Sequence, residues 1–194
     1  DLIHQHQVSF TMASTPFLND LSTTVAEQHD QVSSLKTFLC AGAPIPGPLV
    51  QKARETLGVK VISAWGMTEC GAITTTRPED DDERSFSTDG IALPGVEIKI
   101  VNKAGEIKPF NEPGRLMIRS CSSFGGYLKR AHLNDTDADD WFDTGDIAYQ
   151  DEQGYIRIWG RKKDVIIRGG ENIPVAEIES LLYKHPNIAV VALV

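Results

Sequence analysis

The chain alternates two textures of apolar and polar positions, and the change between them divides it. In the first third, short unbroken apolar runs, Leu35 to Cys40 and Val59 to Ile62, have the length of strands buried on both faces. Helical spacing lies between and before them. Pro16 suits a first helical turn and precedes Phe17, Leu18 and Leu21, while Pro46 to Leu57 sets Leu49, Ala53 and Leu57 on one face, with Gly58 as the stop. Helices alternating with buried strands predict an α/β layer with a parallel sheet.

From about Thr74 the runs shorten, and Gly, Pro, Asn and Asp punctuate them. Val96 to Val101, Leu116 to Arg119 and Tyr155 to Trp159 are predicted strands of a small antiparallel sheet or β-barrel. The acidic run Glu79 to Glu83 is expected to be a solvated loop and not a metal site. After Gly160 a basic cluster, Arg161 to Lys163, leads to the apolar run Val165 to Ile167, a glycine pair, and a helix starting near Pro174. That helix is expected to carry Ile178, Leu181 and Leu182 on its apolar side and to end at His185-Pro186. The predicted division is 1–75 as the end of an α/β subdomain, 76–162 as a β-barrel-like subdomain, and 163–194 as a hinge and the start of a small α+β domain.

Composition narrows the classes. With 194 residues, 41% hydrophobic and 24% charged, the sequence is that of a globular protein, and no apolar run approaches the roughly 20 residues of a membrane span. The formal net charge of -8 repels phosphate backbones, so nucleic acid is not an expected partner. No secretory signal pattern opens the chain, and Cys40, Cys70 and Cys121 are odd in number and widely spaced. Reduced thiols and a cytoplasmic location are expected. The opening at Asp1 and the close within Ile188 to Val194 lead us to expect an internal fragment.

Three constellations carry candidate chemistry. Val61 to Glu69 reads as a buried strand that delivers Trp65, Gly66, Thr68 and Glu69 to one strand end, where open α/β sheets bind ligands. Its bland alternative is a turn in which Thr68 and Glu69 merely cap the next element. In Trp141 to Asp146, a glycine turn aims the Asp146 carboxylate, a good acceptor for two ribose hydroxyls. The competing reading is a calcium loop from Asp135, Asp137 and Asp139 to Asp146, but its sixth position is Asp140 and not glycine. The third constellation, Gly154 to Ile173, holds five cationic side chains flanked by glycines. It suits a solvated face, a turn, a hinge or close approach of a ligand.

These blocks, with Ala41-Gly42-Ala43-Pro44, Gly114, Gly126-Tyr127 and Gly-Gly-Glu-Asn-Ile at 169–173, together resemble the adenylate-forming superfamily. That superfamily holds acyl-CoA synthetases, nonribosomal-peptide adenylation domains and beetle luciferases. The likeness is strongest to short- or medium-chain fatty-acid and alicyclic-acid CoA ligases. It implies a fragment of the large N-terminal domain, α/β plus a small antiparallel β-barrel, followed by the start of the small C-terminal domain. It also implies ATP, Mg²⁺ and coenzyme A acting on a small carboxylic acid, first to an acyl-adenylate and then to a thioester.

By motif position the resemblance places Gly42, Ala43 and Pro44 against adenine with Trp65 beside them, and Thr68 on the α-phosphate. Glu69 falls on Mg²⁺, Asp146 and Arg161 on the ribose, and Ile158 beside the nucleotide. Lys163 takes the hinge position and Gly170 the pantetheine passage. Two departures stand out. Ser63 replaces an expected amide, which puts one adenine contact in doubt, and Gly114-Arg115-Leu116 replaces the usual Gly-Glu-Leu, a change expected to alter only surface charge. The family's phosphate loop and catalytic lysine are expected outside the chain, so the fragment alone is expected to be inactive.

The alternatives are an adenylation domain that loads a carrier protein and a noncatalytic nucleotide-binding module. Phe10, Met12, Phe17, Ala64, Cys70 and Gly71 suit an apolar acyl pocket, although apolar residues are core by default.

Overall fold

The computed structural model describes residues 2–28, 32–43, 45–162, 166–168, 171–173, 175–182, 185, 188 and 191. The chain forms two compact units, 1–66 with 74–90, and 67–73 with 91–194.

The first unit is the expected α/β layer. It contains α1 (Leu2–Gln5), β1 (Phe10–Ala13), α2 (Thr15–Gln28), β2 (Thr37–Ala41), α3 (Gly47–Leu57), most of β3 (Lys60–Met67), the second half of β4 (Gly71–Thr75) and α4 (Asp82–Ser87). β1 pairs with β2 and β2 with β3, both parallel, and Ala41 stands opposite Ala64. The helical signals at both prolines hold. α3 starts after Pro46 and stops at Gly58, whose φ of 67° is left-handed and whose N–H donates to the Arg54 carbonyl at 3.0 Å. That is a glycine C-cap formed where a side chain would be strained. Leu49, Val50, Ala53 and Leu57 face inward and join Leu18, Phe38 and Val61 in one buried cluster. Burying a side chain of this size contributes about 1.5–3 kcal/mol.

The acidic run is more ordered than a solvated loop. Asp81 caps α4 by accepting from the Arg84 N–H at 2.9 Å, and Asp82 pairs with Arg54 at 2.6 Å and Lys60 at 3.1 Å. Burial works against the Asp82 carboxylate, yet Lys60 and Arg54 outweigh it and hold its pKa below the ordinary value. Acidic residues read as loop because charge favours solvent, but the same charges favour a helix N-terminus. Gly90 has φ 92°, and a Cβ there would lie 2.1 Å from the Thr75 carbonyl carbon. Gly90→Ala is therefore expected to destabilise the chain by roughly 3 kcal/mol, read as a lower urea midpoint. An unchanged midpoint would count against this close approach.

The second unit holds the first half of β4, β5 (Ile91–Ala92), β6 (Val96–Val101), β7 (Gly114–Ser120), β8 (Phe142–Gln150), β9 (Ile156–Arg161), β10 (Ile166–Arg168), β11 (Glu171–Ile173) and α5 (Val175–Leu182). β6 to β9 form an antiparallel sheet in sequence order. Among the described residues β6 and β9 are its two edges, so the sheet is open and the expected barrel does not close. Four strands of six to nine residues are too few to curl round to their own edge. Its core is Ile100, Val101, Leu116, Ile118, Phe142, Ala148 and Ile156. β10 and β11 form a separate antiparallel pair. The predicted helix near Pro174 is α5, but of its expected apolar side Ile178 and Leu182 are half-buried while Leu181 is 64% exposed.

No helix among the described residues is long and apolar enough to cross a membrane.

Candidate functional site

In the first unit the expected adenine-side residues gather at one edge of the parallel sheet. β2 ends at Ala41, and Gly42, with φ 86°, turns the chain away from the strand. The Ala43 carbonyl accepts from Thr15 Oγ1 at 3.3 Å. Because Ala41 is in register with Ala64, Trp65 stands on β3 at the level of Gly42, one residue past that pair. Gly42 and Ala43 are exposed and Trp65 is half-buried. Backbone and an aromatic face thus open at the carboxyl ends of parallel strands, the edge where such sheets hold ligands.

Ser63 is buried two residues earlier. Its N–H donates to Thr76 Oγ1 and its carbonyl accepts from the Thr76 N–H, both at 2.9 Å. Pro44 lies outside the described residues.

The second unit holds the charged residues. Met67 to Gly71 is a tight connection, closed by the Cys70 N–H on the Met67 carbonyl at 3.1 Å. Thr68 is exposed at its tip. Glu69 is held at both backbone and side chain: its carbonyl accepts from the Phe124 N–H at 2.7 Å, and its Oε1 accepts from the Tyr127 hydroxyl at 2.6 Å. That hydrogen bond, with burial and the nearby carboxylates, raises the Tyr127 pKa, so the phenol stays a donor. Tyr127 is itself positioned by Asn134, whose Oδ1 accepts its N–H at 2.9 Å, and by an edge contact with Phe124. The bland reading of Thr68 and Glu69 as caps finds no counterpart, because the next element is the strand β4 and not a helix.

Asp146 lies on β8, where Phe142, Thr144, Asp146 and Ala148 alternate inward with period two. Its carboxylate is almost fully buried, with Oδ1 3.3 Å from Nε of the exposed Arg161, its register partner on β9. Its N–H donates to Thr144 Oγ1 at 3.1 Å, and the Thr144 hydroxyl donates to the Leu116 carbonyl at 3.0 Å. The Lys162 N–H donates to the Gly145 carbonyl at 2.9 Å, which ties the end of β9 to the same turn. Burial raises the Cys70 pKa against the backbone hydrogen bond from Met67, and the Glu69 and Asp146 carboxylates raise it further. The thiol is a neutral group near two anions, suited to packing and not to nucleophilic attack. Ile158 is half-buried on β9. Lys163 and Gly170 lie outside the described residues.

Among the described residues no three His, Cys, Asp or Glu side chains stand together as a metal cage. Asp137 instead accepts from the Asp139 and Trp141 N–H groups, both at 2.9 Å. Glu69 alone, with one oxygen occupied by Tyr127, fits a Mg²⁺ ion that takes its remaining ligands from water and phosphate. Of the suggested acyl-pocket residues, Phe10, Met12 and Phe17 are more than half exposed rather than in the core, and Cys70 is buried. A cavity of about 460 Å³ lined by Gly95, Arg119, Cys121, Phe124 and Phe142 contains none of the expected site residues.

Tyr127, Thr144 and the Arg115–Asp143 pair are contributions that sequence reading missed. Gly126-Tyr127 was visible as a motif element, but no spacing signalled that its hydroxyl meets Glu69. Arg115, read as a surface charge, is instead partly buried and pairs with Asp143 at 2.7 Å.

Residues 1–128 match the family described as AMP-binding enzyme. The chain is 37% identical over 189 residues to the medium-chain fatty-acid–CoA ligase of Escherichia coli (strain K12), covering 96% of this chain and 33% of that ligase. It is also 37% identical to the 2-succinylbenzoate–CoA ligase of Bacillus pumilus (strain SAFR-032), covering 96% of this chain and 37% of the other. The solved O-succinylbenzoate coenzyme A synthetase of Bacillus subtilis in complex with ATP and magnesium superposes with a TM-score of 0.86 at 34% identity, covering 97% of this chain and 39% of that one. A second structure of that synthetase holds an acyl-adenylate intermediate and gives a TM-score of 0.85 over 96% of this chain and 38% of the other. The chain thus spans between 33% and 39% of these relatives.

Proposed function

Because the chain belongs to the AMP-binding enzyme family, we propose that it supplies nucleotide-site residues and the interdomain hinge of an AMP-forming acid–CoA ligase about three times its length. The observation that carries this reading is the buried Asp146 beside the exposed Arg161, on the strand pair that leads to Lys163. A buried carboxylate with an exposed cation at its mouth suits a ligand offering two hydroxyls next to a phosphate.

In this reading the acid carboxylate attacks the α-phosphorus of ATP, the bond to pyrophosphate breaks, and acyl-adenylate forms. The coenzyme A thiol then loses its proton and attacks the acyl carbon, releasing AMP. Thr68 donates to the α-phosphate oxygens as charge builds there, and Asp146 and Arg161 hold the ribose. Gly42, Ala43 and Trp65, with Pro44, receive the adenine, and Ile158 packs beside it. Glu69, oriented by Tyr127, holds Mg²⁺, which supplies charge neutralisation on the phosphates. Gly170 lines the thiol passage. The unpaired thiols Cys40, Cys70 and Cys121 support a reducing, cytoplasmic setting.

The complete ligase is expected to show acid-dependent exchange of pyrophosphate into ATP, and to release AMP and a free acyl-CoA thioester. Exchange without a free thioester would favour the carrier-protein alternative, and failure of both would favour a noncatalytic module. The 194-residue chain by itself is expected to show no exchange, since losing even one charge-stabilising donor costs about 10²- to 10³-fold. Robust exchange by this chain alone would overturn the placement of the phosphate loop and catalytic lysine elsewhere.

A further inference from the structure

β8 does not run smoothly past β7. Pairing is regular at Ile147 with Arg115 and again at Asp143 with Met117, so Thr144, Gly145 and Asp146 oppose the single residue Leu116. Surplus residues of this kind form a bulge, which re-aims side chains and is common beside active sites. Gly145 adopts φ 75° inside it. Asp146 is the last of the three residues in it, and its side chain keeps the inward place set by the period-two alternation of β8.

Arg115 and Asp143 bracket this bulge. Arg115 Nη1 lies 2.7 Å from Asp143 Oδ2, while Asp143 Oδ1 accepts from the Gly145 N–H at 3.0 Å. The Asp143 N–H in turn donates to the Asp135 carbonyl at 2.8 Å. One carboxylate therefore joins the guanidinium on β7 to the backbone of the turn that presents Asp146. Both side chains are partly shielded, at 29% and 18% exposure, which keeps the pair from being fully screened by solvent. Arg115 Nε is buried with no hydrogen-bond partner among the described residues. The guanidinium thus sits where it does at some cost to itself, as expected of a group held for its contact with Asp143.

We propose that the Arg115–Asp143 pair is a clamp that positions the Asp146 carboxylate for the ribose hydroxyls. Arg115 and Asp143 are positioning residues that touch no substrate. The proposal rests on the reading of Asp146 as the ribose partner, and its test separates the two. Amide hydrogen exchange at Gly145 and Asp146 is followed in this chain, with equilibrium binding of AMP and of 2′,3′-dideoxyadenosine monophosphate.

Arg115→Met keeps the aliphatic stem and removes the charge. It is expected to speed Gly145 exchange and to weaken AMP roughly three- to tenfold, the size of one charge-assisted hydrogen bond, while dideoxy-AMP changes by less than about twofold. Arg115→Lys should recover part of both effects. Unchanged Gly145 exchange in Arg115→Met, or exchange speeded equally at the distant Val61 amide, overturns the clamp. Equal weakening of both nucleotides also overturns it, because the lost charge would then act on the phosphate. Asp146→Asn should erase the preference for AMP over dideoxy-AMP. If that preference survives, or if neither nucleotide binds the chain, the ribose reading falls, and Gly145 exchange alone decides the clamp.

Discussion

Lys163→Pro in the complete ligase is expected to leave acyl-adenylate formation measurable in a single turnover while thioester formation falls on the order of 10²-fold or more. Proline fixes φ near -65° and removes the backbone N–H, so it restricts any rotation that the residue must undergo between the two half-reactions. The hinge role is our proposal, since Lys163 lies outside the described residues. Its setting supports it. Lys162 is tied by its N–H to the Gly145 carbonyl in the turn that carries Asp146, so the residue that follows is the first beyond that anchor. Lys163→Ala keeps torsional freedom and should be mild. Equal loss of both half-reactions by a folded proline variant would make the position structural or catalytic, and full thioester formation would place the hinge elsewhere.

Glu69→Gln is the second large effect. Its amide oxygen can still accept from the Tyr127 hydroxyl, now 2.6 Å from Oε1, so stability should change by no more than about 1 kcal/mol. The charge that the proposed site offers to Mg²⁺ is lost. Adenylation is expected to fall about 10²- to 10³-fold, as for removal of a group that stabilises phosphoryl charge, with partial recovery in excess Mg²⁺. Mg²⁺ affinity in the presence of ATP should weaken in parallel. Adenylation kinetics that match the parent enzyme across a Mg²⁺ titration would refute the ligand role.

How far the residues could be read depended on the range of the interaction each one makes. Pro46 and Gly58 bound α3 through backbone torsions that are properties of those residues alone, and both boundaries hold. Buried strands β2 and β3 were legible as apolar runs, and β6 agrees with its expected span from Val96 to Val101. The proposed roles of Glu69, Asp146 and Arg161 come from resemblance, because motif order and spacing lie along the chain. Acidic residues 79–83 were misread because charge alone does not tell a solvated loop from a helix start capped by Asp81, whose neighbour Asp82 pairs with Arg54 and Lys60.

Pairing between distant residues belonged to the tertiary structure. Arg115 and Asp143 are 28 positions apart, and no local pattern places a cation on β7 against an anion on β8. Their meeting depends on the register of two strands and on a bulge, and a shift of one residue would send either side chain to the opposite face. Tyr127 reaches Glu69 across 58 positions from one loop to another, a meeting that no local pattern signals either. Closure of the second sheet was undecidable from strand signals, since a strand that ends at an edge and one that closes a barrel share one period-two pattern. Composition and short-range geometry determined which elements form and which residues carry charge; only the tertiary contacts, strand register among them, decided which of those charges stand together and which carboxylate is buried.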